Sequence, residues 1–134
     1  MVTPFDADGE LDVDAAVALA KWLVTQGNEG LVVVGTTGES ATLSIDEKLT
    51  LFEAISAAVT VPVVGGTTGS NTRQDMGLTA EASKLGLAGI LAVAPYYNRP
   101  SQTGFELHFR AIASATAGSA CPRAQTAMPP SASR

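Results

Sequence analysis

The chain is short of the residues on which several classes of protein depend. It has one cysteine and one histidine in 134 residues. A disulfide framework within the chain, a zinc site of His and Cys ligands and a Ser-His-Asp triad are therefore disfavoured. Eight Lys and Arg stand against 13 Asp and Glu, for a net charge of −5. The basic residues form no cluster, which argues against binding to nucleic acid.

Long apolar runs are also missing. No run approaches the roughly 18 residues of a membrane span, so none is predicted. The N-terminus lacks the basic and apolar regions of a signal peptide. Together with the single cysteine, these absences predict a cytoplasmic protein. Hydrophobic residues make up 46% of the chain and charged residues 16%, which is typical of a globular domain with a core.

Short apolar runs alternate with segments of helical periodicity. The runs Leu31–Val34, Val61–Val64 and Gly89–Val93 are rich in β-branched residues and start roughly 28 to 30 residues apart. They are apolar throughout, as expected of parallel strands that are buried on both faces. A partial strand is also predicted at the N-terminus, before the first helix.

Four helices are predicted from their start signals and apolar stripes. A capping box begins the second helix, because Ser44 is followed three residues later by Glu47. The other helices are expected to start near Asp12 or Asp14, near Asn71 or Thr72, and near Ser101. This order fits two α/β architectures with parallel strands: part of a (β/α)8 barrel, or a small doubly wound sheet.

The character of the sequence changes after Thr116. Residues 117–134 are rich in Ala, Ser and Pro and show neither an apolar stripe nor a strand pattern. We therefore predict a structured region over residues 1–117 and a disordered tail over residues 118–134.

Unusual polar residues follow the predicted strands, where α/β folds hold their ligands. Gly35–Ser40 carries the adjacent hydroxyls of Thr36 and Thr37, which suit a carboxylate and a proton relay. Gly65–Asn71 lacks the spacing of a nucleotide phosphate loop. Ala94–Pro100 carries the only two tyrosines, Tyr96 and Tyr97, whose phenols could relay protons. Each loop is also compatible with an ordinary strand-to-helix turn.

The single histidine, His108, falls on the last predicted helix, next to Phe109. Its position predicts a surface or packing residue rather than a catalyst.

Three segments together carry a resemblance to a known family. Their sequences are VTPF at 2–5, GTTGESATL at 35–43 and PYYNRPSQ at 95–102. In this order and with these separations they resemble the dihydrodipicolinate synthase family of pyruvate-dependent class I aldolases. The likeness runs from Val2 to about Thr116. N-acetylneuraminate lyase and other 2-keto-acid aldolases share the fold, but the Thr-Thr pair and the Tyr-Tyr-Asn-Arg-Pro run favour the synthases.

The resemblance implies the N-terminal part of a (β/α)8 TIM barrel, with about four strand–helix units. It implies a lyase that condenses pyruvate with L-aspartate 4-semialdehyde, through a Schiff base and an enamine, in lysine and diaminopimelate biosynthesis. Members of the family use no metal and no organic cofactor. They are commonly homotetramers.

The resemblance also implies roles for individual residues. Thr36 and Tyr97 match catalytic positions: Thr36 relays protons between two tyrosines, and Tyr97 is donated across a dimer interface. Thr37 matches the threonine that holds the pyruvate carboxylate. Tyr96 matches an interface tyrosine near an allosteric lysine pocket. The loop that lines this pocket is matched by Ser40 and Ala41.

The Schiff-base lysine of the family lies on its sixth strand, which would come after residue 134. The lysines of this chain, Lys21, Lys48 and Lys84, all fall on predicted helices. We therefore expect the chain alone to be inactive, since the amine must be desolvated inside the barrel to react. An inert or self-associating half-barrel and an N-acetylneuraminate lyase-like aldolase are the alternatives.

Overall fold

The computed structural model describes residues 1–67, 69–116 and 124–127 of the chain. Strands and helices alternate along it. The helices are α1 (Val13–Thr25), α2 (Ile45–Ala58), α3 (Thr72–Ala82) and α4 (Gln102–Ala115). The strands are β1 (Leu31–Val33), β2 (Val63–Gly66), β3 (Gly89–Val93) and β4 (Ala124–Ala127), and a 3-10 turn spans Thr36–Gly38.

The helices start where their capping residues predict. Asp12, Asn71 and Ser101 each accept a hydrogen bond from a backbone N–H of the first turn. At α2 the capping box is complete: Ser44 Oγ accepts from the Glu47 N–H, and Glu47 accepts from the Ser44 N–H. The Ser44 side chain, followed by its backbone N–H, lowers the pKa of the Glu47 carboxyl. Each cap satisfies backbone donors that the helix itself leaves free.

The strands form one parallel sheet in the order β1-β2-β3-β4. Val32 pairs with Val64, Gly66 with Leu91, and Ile90 with Ala124. Each strand therefore lies beside the strand that precedes it in the chain. A doubly wound sheet reverses this order at a switch point, whereas a β/α barrel continues it. The order favours an arc of a barrel.

The helices cover one face of the sheet only. Strand residues on that face are buried: Leu31, Val33, Val63, Ile90 and Ala92. All of these except Ala92 belong to a core that includes Ala16, Ala20, Phe52, Ile55, Leu78 and Ala82 from the helices. On the opposite face Val32 is 43% exposed, and Val64 and Leu91 are half-buried. One-sided cover is the barrel arrangement, so the doubly wound alternative is wrong.

The strand bounds differ slightly from those predicted. β2 begins at Val63 rather than Val61, because Pro62 has no N–H to donate to a ladder. Val34 leaves β1 because its φ of 58° is left-handed. The predicted N-terminal strand is not formed by Met1–Pro4, although the Met1 ammonium group donates to the Val32 carbonyl oxygen at 2.7 Å.

The prediction that residues 118–134 contain no strand is wrong for Ala124–Ala127, which pair with β3 as β4. The edge of β3 has backbone N–H and C=O groups that need partners. A segment can pair with this edge through its backbone alone, so β4 forms without an apolar pattern in its sequence. The rest of the tail lies outside the described residues, and its disorder stays a prediction. Among the helices that are described, none is long and apolar enough to cross a membrane.

Candidate active site at the carboxyl ends of the strands

The two threonines of the first loop lie in a tight turn directly after β1. Thr36 and Thr37 form a single 3-10 turn that ends at Glu39, whose left-handed backbone donates its N–H to the Thr36 carbonyl oxygen at 3.1 Å. Both threonine side chains are exposed. Thr3 Oγ1 donates to the Gly38 carbonyl oxygen at 2.6 Å. The N-terminal segment therefore holds this turn from one side.

Strand β2 holds the same turn from the other side. Val34 is 1% exposed and its φ is 58°, an uncommon conformation for a β-branched residue. A Cβ at Gly66 would collide with the Val34 carbonyl oxygen. The turn that carries the threonines thus depends on a glycine of the next strand. Strained backbone of this kind is found preferentially at functional sites.

The tandem tyrosines lie after β3, at the same edge of the sheet. Tyr97 has a φ of 70° and is 97% exposed, whereas Tyr96 is 54% exposed. The Asn98 N–H donates to the Tyr96 carbonyl oxygen at 2.9 Å and closes a tight turn between them. The turn therefore directs the Tyr97 phenol into solvent and leaves Tyr96 partly packed.

A cavity of about 420 Å³ opens between these two turns. Thr36 and Tyr96 both line it, together with Glu39 and an apolar wall formed by Val34, Leu91, Val93 and Ala94. Thr37 and Tyr97 are not among its lining residues. An apolar cavity with a few convergent polar groups is typical of sites for small molecules. The structure thus brings Thr36 and Tyr96 together and leaves Thr37 and Tyr97 outside this cavity.

A second cavity of about 190 Å³ adjoins the first. Ser40, Ala41 and Tyr96 line both cavities. Two charged side chains, Lys48 and Asp75, line the second cavity only. The three residues that the resemblance places near a regulatory pocket therefore share one cavity wall.

Burial shifts the titration of both charged groups. Desolvation raises the pKa of the Asp75 carboxyl, against a hydrogen bond from the Gly69 N–H and the charges of His108 and Lys48. Desolvation also lowers the pKa of the Lys48 ammonium, which Asp75 opposes. Within the described residues, Asp75 Oδ2 has no hydrogen-bond partner. Perturbed ionisable groups in a cavity are candidates for ligand contacts.

Sequence reasoning missed Asp75 and left open whether His108 is a surface or a packing residue. Asp75 is 5% exposed and lies on the inward stripe of α3 with Leu78, Thr79 and Ala82. His108 is 4% exposed, so of the two predicted alternatives, a surface or a packing residue, the packing residue is confirmed. An acidic residue on an otherwise inward-facing stripe was the available signal for Asp75.

None of the three lysines lies at the carboxyl end of a strand. Lys21 is exposed on α1, and Lys48 is on α2 at the second cavity. Lys84 follows α3 rather than lying on it, and pairs with Glu81 at 2.7 Å on the surface. The Thr36 cavity therefore contains no amine from these side chains. Over the described ranges, no group of three or more His, Cys, Asp or Glu could hold a metal ion.

The chain has the features of a segment of a β/α barrel: its parallel strands follow chain order, its helices cover one face, and its candidate functional turns lie at the carboxyl edge. The chain belongs to the Dihydrodipicolinate synthetase family, which it matches over residues 1–120. A 4-hydroxy-tetrahydrodipicolinate synthase from Halalkalibacterium halodurans is 53% identical over 118 residues, covering 87% of this chain and 40% of the relative. The chain thus spans about 40% of the length of such curated relatives.

The solved structures extend the comparison to the fold. A dihydrodipicolinate synthase from Bacillus anthracis superposes with a TM-score of 0.87 at 41% identity, over 94% of this chain and 42% of that one. An N-acetylneuraminate lyase from Mycoplasma synoviae reaches a TM-score of 0.85 at 26% identity, over 94% and 43%. The backbone is therefore common to both enzymes, whereas the sequence is more similar to the synthase.

Proposed function

We propose that this chain is the N-terminal part of a 4-hydroxy-tetrahydrodipicolinate synthase, a lyase that condenses pyruvate with L-aspartate 4-semialdehyde in lysine and diaminopimelate biosynthesis. The observation that carries the proposal is the cavity shared by Thr36 and Tyr96 at the carboxyl edge of the sheet. Family membership and the names of the curated relatives support it. A cytoplasmic location follows from the same proposal.

In this proposal the residues of the two turns have different roles. Pyruvate becomes a Schiff base and then an enamine, which attacks the aldehyde carbon. The Thr36 hydroxyl, inside the cavity, relays a proton, and Thr37 binds the pyruvate carboxylate. Tyr97 is almost fully exposed, which suits a phenol that is inserted into the site of a neighbouring subunit in a homotetramer. Tyr96, Ser40 and Ala41 form the wall between the active site and a regulatory pocket.

The Schiff base needs an amine that this chain does not place in the cavity, because its lysines lie on or beside helices. We therefore propose that the chain alone is inactive. The N-acetylneuraminate lyase alternative is not favoured, because the lyase is 26% identical to this chain and the Bacillus anthracis synthase 41%.

Trapping with pyruvate and sodium borohydride tests the missing amine directly. Reduction converts a Schiff base into a stable adduct that intact-mass spectrometry detects. No adduct is expected on this chain, while an intact synthase treated in parallel is labelled. An adduct on Lys48 or any other lysine here would contradict the proposed inactivity.

A chimera tests the activity itself. Residues 1–116 of this chain would be joined to the remaining C-terminal part of the Halalkalibacterium halodurans relative, and condensation of the two substrates measured. The chimera should be active, and Thr36→Val should lower kcat by about 100-fold, as expected when a proton relay is lost. Thr50→Val is the matched control, because Thr50 is exposed on α2 and bonds only its own helix. A fully active Thr36→Val chimera would show that the Thr36 hydroxyl does not relay a proton.

A further inference from the structure

His108 is a buried imidazole whose two nitrogens bond to two other elements. Its Nδ1 lies 2.8 Å from Thr72 Oγ1, at the first turn of α3. Its Nε2 lies 3.2 Å from the carbonyl oxygen of Val93, the last residue of β3. The turn with the tandem tyrosines begins directly after Val93. His108 thus connects the base of this turn to α3.

A second contact from α3 reaches Gly69, in the loop after β2, which lies beside the Tyr96 phenol. Asp75 Oδ1 accepts a hydrogen bond from the Gly69 N–H at 3.0 Å. A Cβ at Gly69 would lie 3.6 Å from the Tyr96 hydroxyl oxygen and 3.7 Å from Asp75 Oδ1. The Tyr96 phenol therefore rests on backbone that Asp75 holds. Both contacts originate in the first turns of α3, since Thr72 and Asp75 are three residues apart.

We propose that His108 is a positioning residue that fixes the base of the tandem-tyrosine turn against α3, while Asp75 holds Gly69, beside which the Tyr96 phenol lies. Its relevance to catalysis depends on the proposed function, in which Tyr97 acts from this turn. His108 itself lines neither of the cavities described above. It acts through the backbone of β3 and through the orientation that this backbone imposes on Tyr96 and Tyr97.

Simple core packing does not account for this arrangement. An apolar side chain would fill the space beside Ile112 without polar groups that need partners. The imidazole instead has a partner at each nitrogen, from elements 36 and 15 residues away in the sequence. Buried polar groups with complete partners restrict the arrangement of the elements that they join. Tyr97 needs such restriction, because its exposed side chain has little packing of its own.

The experiment uses the full chain labelled with 3-fluorotyrosine. The two tyrosines are the only ones in the sequence, so the ¹⁹F spectrum reports on this turn alone, and Tyr96→Phe and Tyr97→Phe assign its signals. The rate of chymotryptic cleavage after Tyr96 and Tyr97, followed by mass spectrometry, reports how often the turn opens. Neither readout needs substrate, so their outcome is independent of the proposed enzymatic activity.

His108→Leu should move the Tyr96 signal and accelerate cleavage at the turn about tenfold, as expected when local hydrogen bonds are lost. Thr72→Val removes one bond with little change of shape and should accelerate cleavage about threefold. His108→Gln retains a polar end that can form a hydrogen bond. Its cleavage rate should therefore lie between those of the parent and His108→Leu. Ile112→Ala is the matched control: it creates a cavity on the same helix without touching the bonds.

If His108→Leu opens the turn no faster than Ile112→Ala at equal global stability, the histidine is only a core residue and the proposal is wrong. If Thr72→Val leaves both readouts unchanged, α3 does not hold the turn, and the proposal is wrong in the same way. The Thr72 variant keeps the test decisive even where His108→Leu fails to fold.

Discussion

The two faces of the sheet are made of similar residues and have different surroundings. Leu31 and Val33 are buried under the helices, while Val32, between them, is 43% exposed on the opposite face. Val64 and Leu91 on that face are only half-buried. The helix-covered face accounts for most of the buried core. The opposite face and the carboxyl edge hold the candidate site, so stability and proposed function lie in separate parts of one small fold.

The difference shows that an apolar strand does not reveal which of its faces is covered. Parallel strands in a closed barrel are buried on both faces, because the barrel interior is filled by side chains. In this chain the second face contributes little to the described core, since none of the four described helices packs on it. Substitutions on the two faces should therefore have very different effects on stability.

The largest effect is expected at the centre of the covered face. Phe52 is fully buried, and its ring lies against the strand at Gly65. Phe52→Ala should lower the free energy of unfolding by about 3–5 kcal/mol, because it removes a large apolar side chain and leaves a cavity. Urea denaturation followed by circular dichroism measures this. Leu107→Ala, at a residue that is 63% exposed, should change stability by less than about 0.5 kcal/mol.

A pair of glycine substitutions should give effects of opposite sign. Gly66→Ala places a methyl group against the Val34 carbonyl oxygen and should destabilise the chain by about 1–3 kcal/mol. Gly77→Ala, inside α3 with open space around the new methyl group, should stabilise it by up to about 1 kcal/mol. Thermal unfolding of both variants tests the contrast. Equal stability would show that the turn after β1 does not depend on the close approach of β2.

Two adjacent valines of β1 compare the faces within one strand. Val33→Ala removes buried methyl groups and should cost about 2 kcal/mol, from roughly 0.8 kcal/mol per buried carbon plus a cavity. Val32→Ala, on the opposite face, should cost less than about 1 kcal/mol. Denaturant midpoints of the two variants and the parent, measured in parallel, give the two losses of stability. Similar losses at both positions would mean that the second face is covered in solution.

The smallest effect concerns Asp75 and depends on pH. Desolvation raises the pKa of its carboxyl in the folded chain above the ordinary value of 3.8. The folded state then binds more protons than the unfolded state, so this contribution to stability is present at low pH and is lost as the pH rises through the folded pKa. Asp75→Asn should therefore gain stability relative to the parent as the pH rises from about 3.8 towards 7.

The control for this pH series is Asp8→Asn, at an exposed loop residue. Chemical denaturation at several pH values gives the free energy of unfolding as a function of pH. The curves for this variant and for the parent should be parallel. If the free energies of unfolding of Asp75→Asn and the parent also changed in parallel from pH 4 to pH 7, the burial of Asp75 would have no effect on its titration.

Much of the helical layer could be predicted from local signals. Ser44 and Glu47 form the predicted capping box, and Asp12, Asn71 and Ser101 begin their helices as expected. These interactions join residues three positions apart, so a short stretch of sequence contains both partners. The cores of β1, β2 and β3 were also predictable from their apolar runs, apart from the shift of β2 that Pro62 imposes.

The candidate site was less predictable in its details. The loops after β1 and β3 could be identified from their hydroxyls and phenols, and Thr36 and Tyr96 do line one cavity. Thr37 and Tyr97 lie outside that cavity, in turns that contain the left-handed backbone angles of Val34 and Tyr97. The Val34 turn is packed against Gly66 of the next strand, and a contact between separate elements leaves no local pattern to recognise.

Local sequence was sufficient for the alternation of helices and strands from α1 to α4, the capped helix starts and the position of the polar turns after the strands, because each depends on residues that are close along the chain. The packed chain was needed to show which face of the sheet is covered, that β4 pairs with β3, and that His108 contacts both Thr72 and Val93. Those features depend on elements that are distant in sequence and become neighbours only when the sheet assembles.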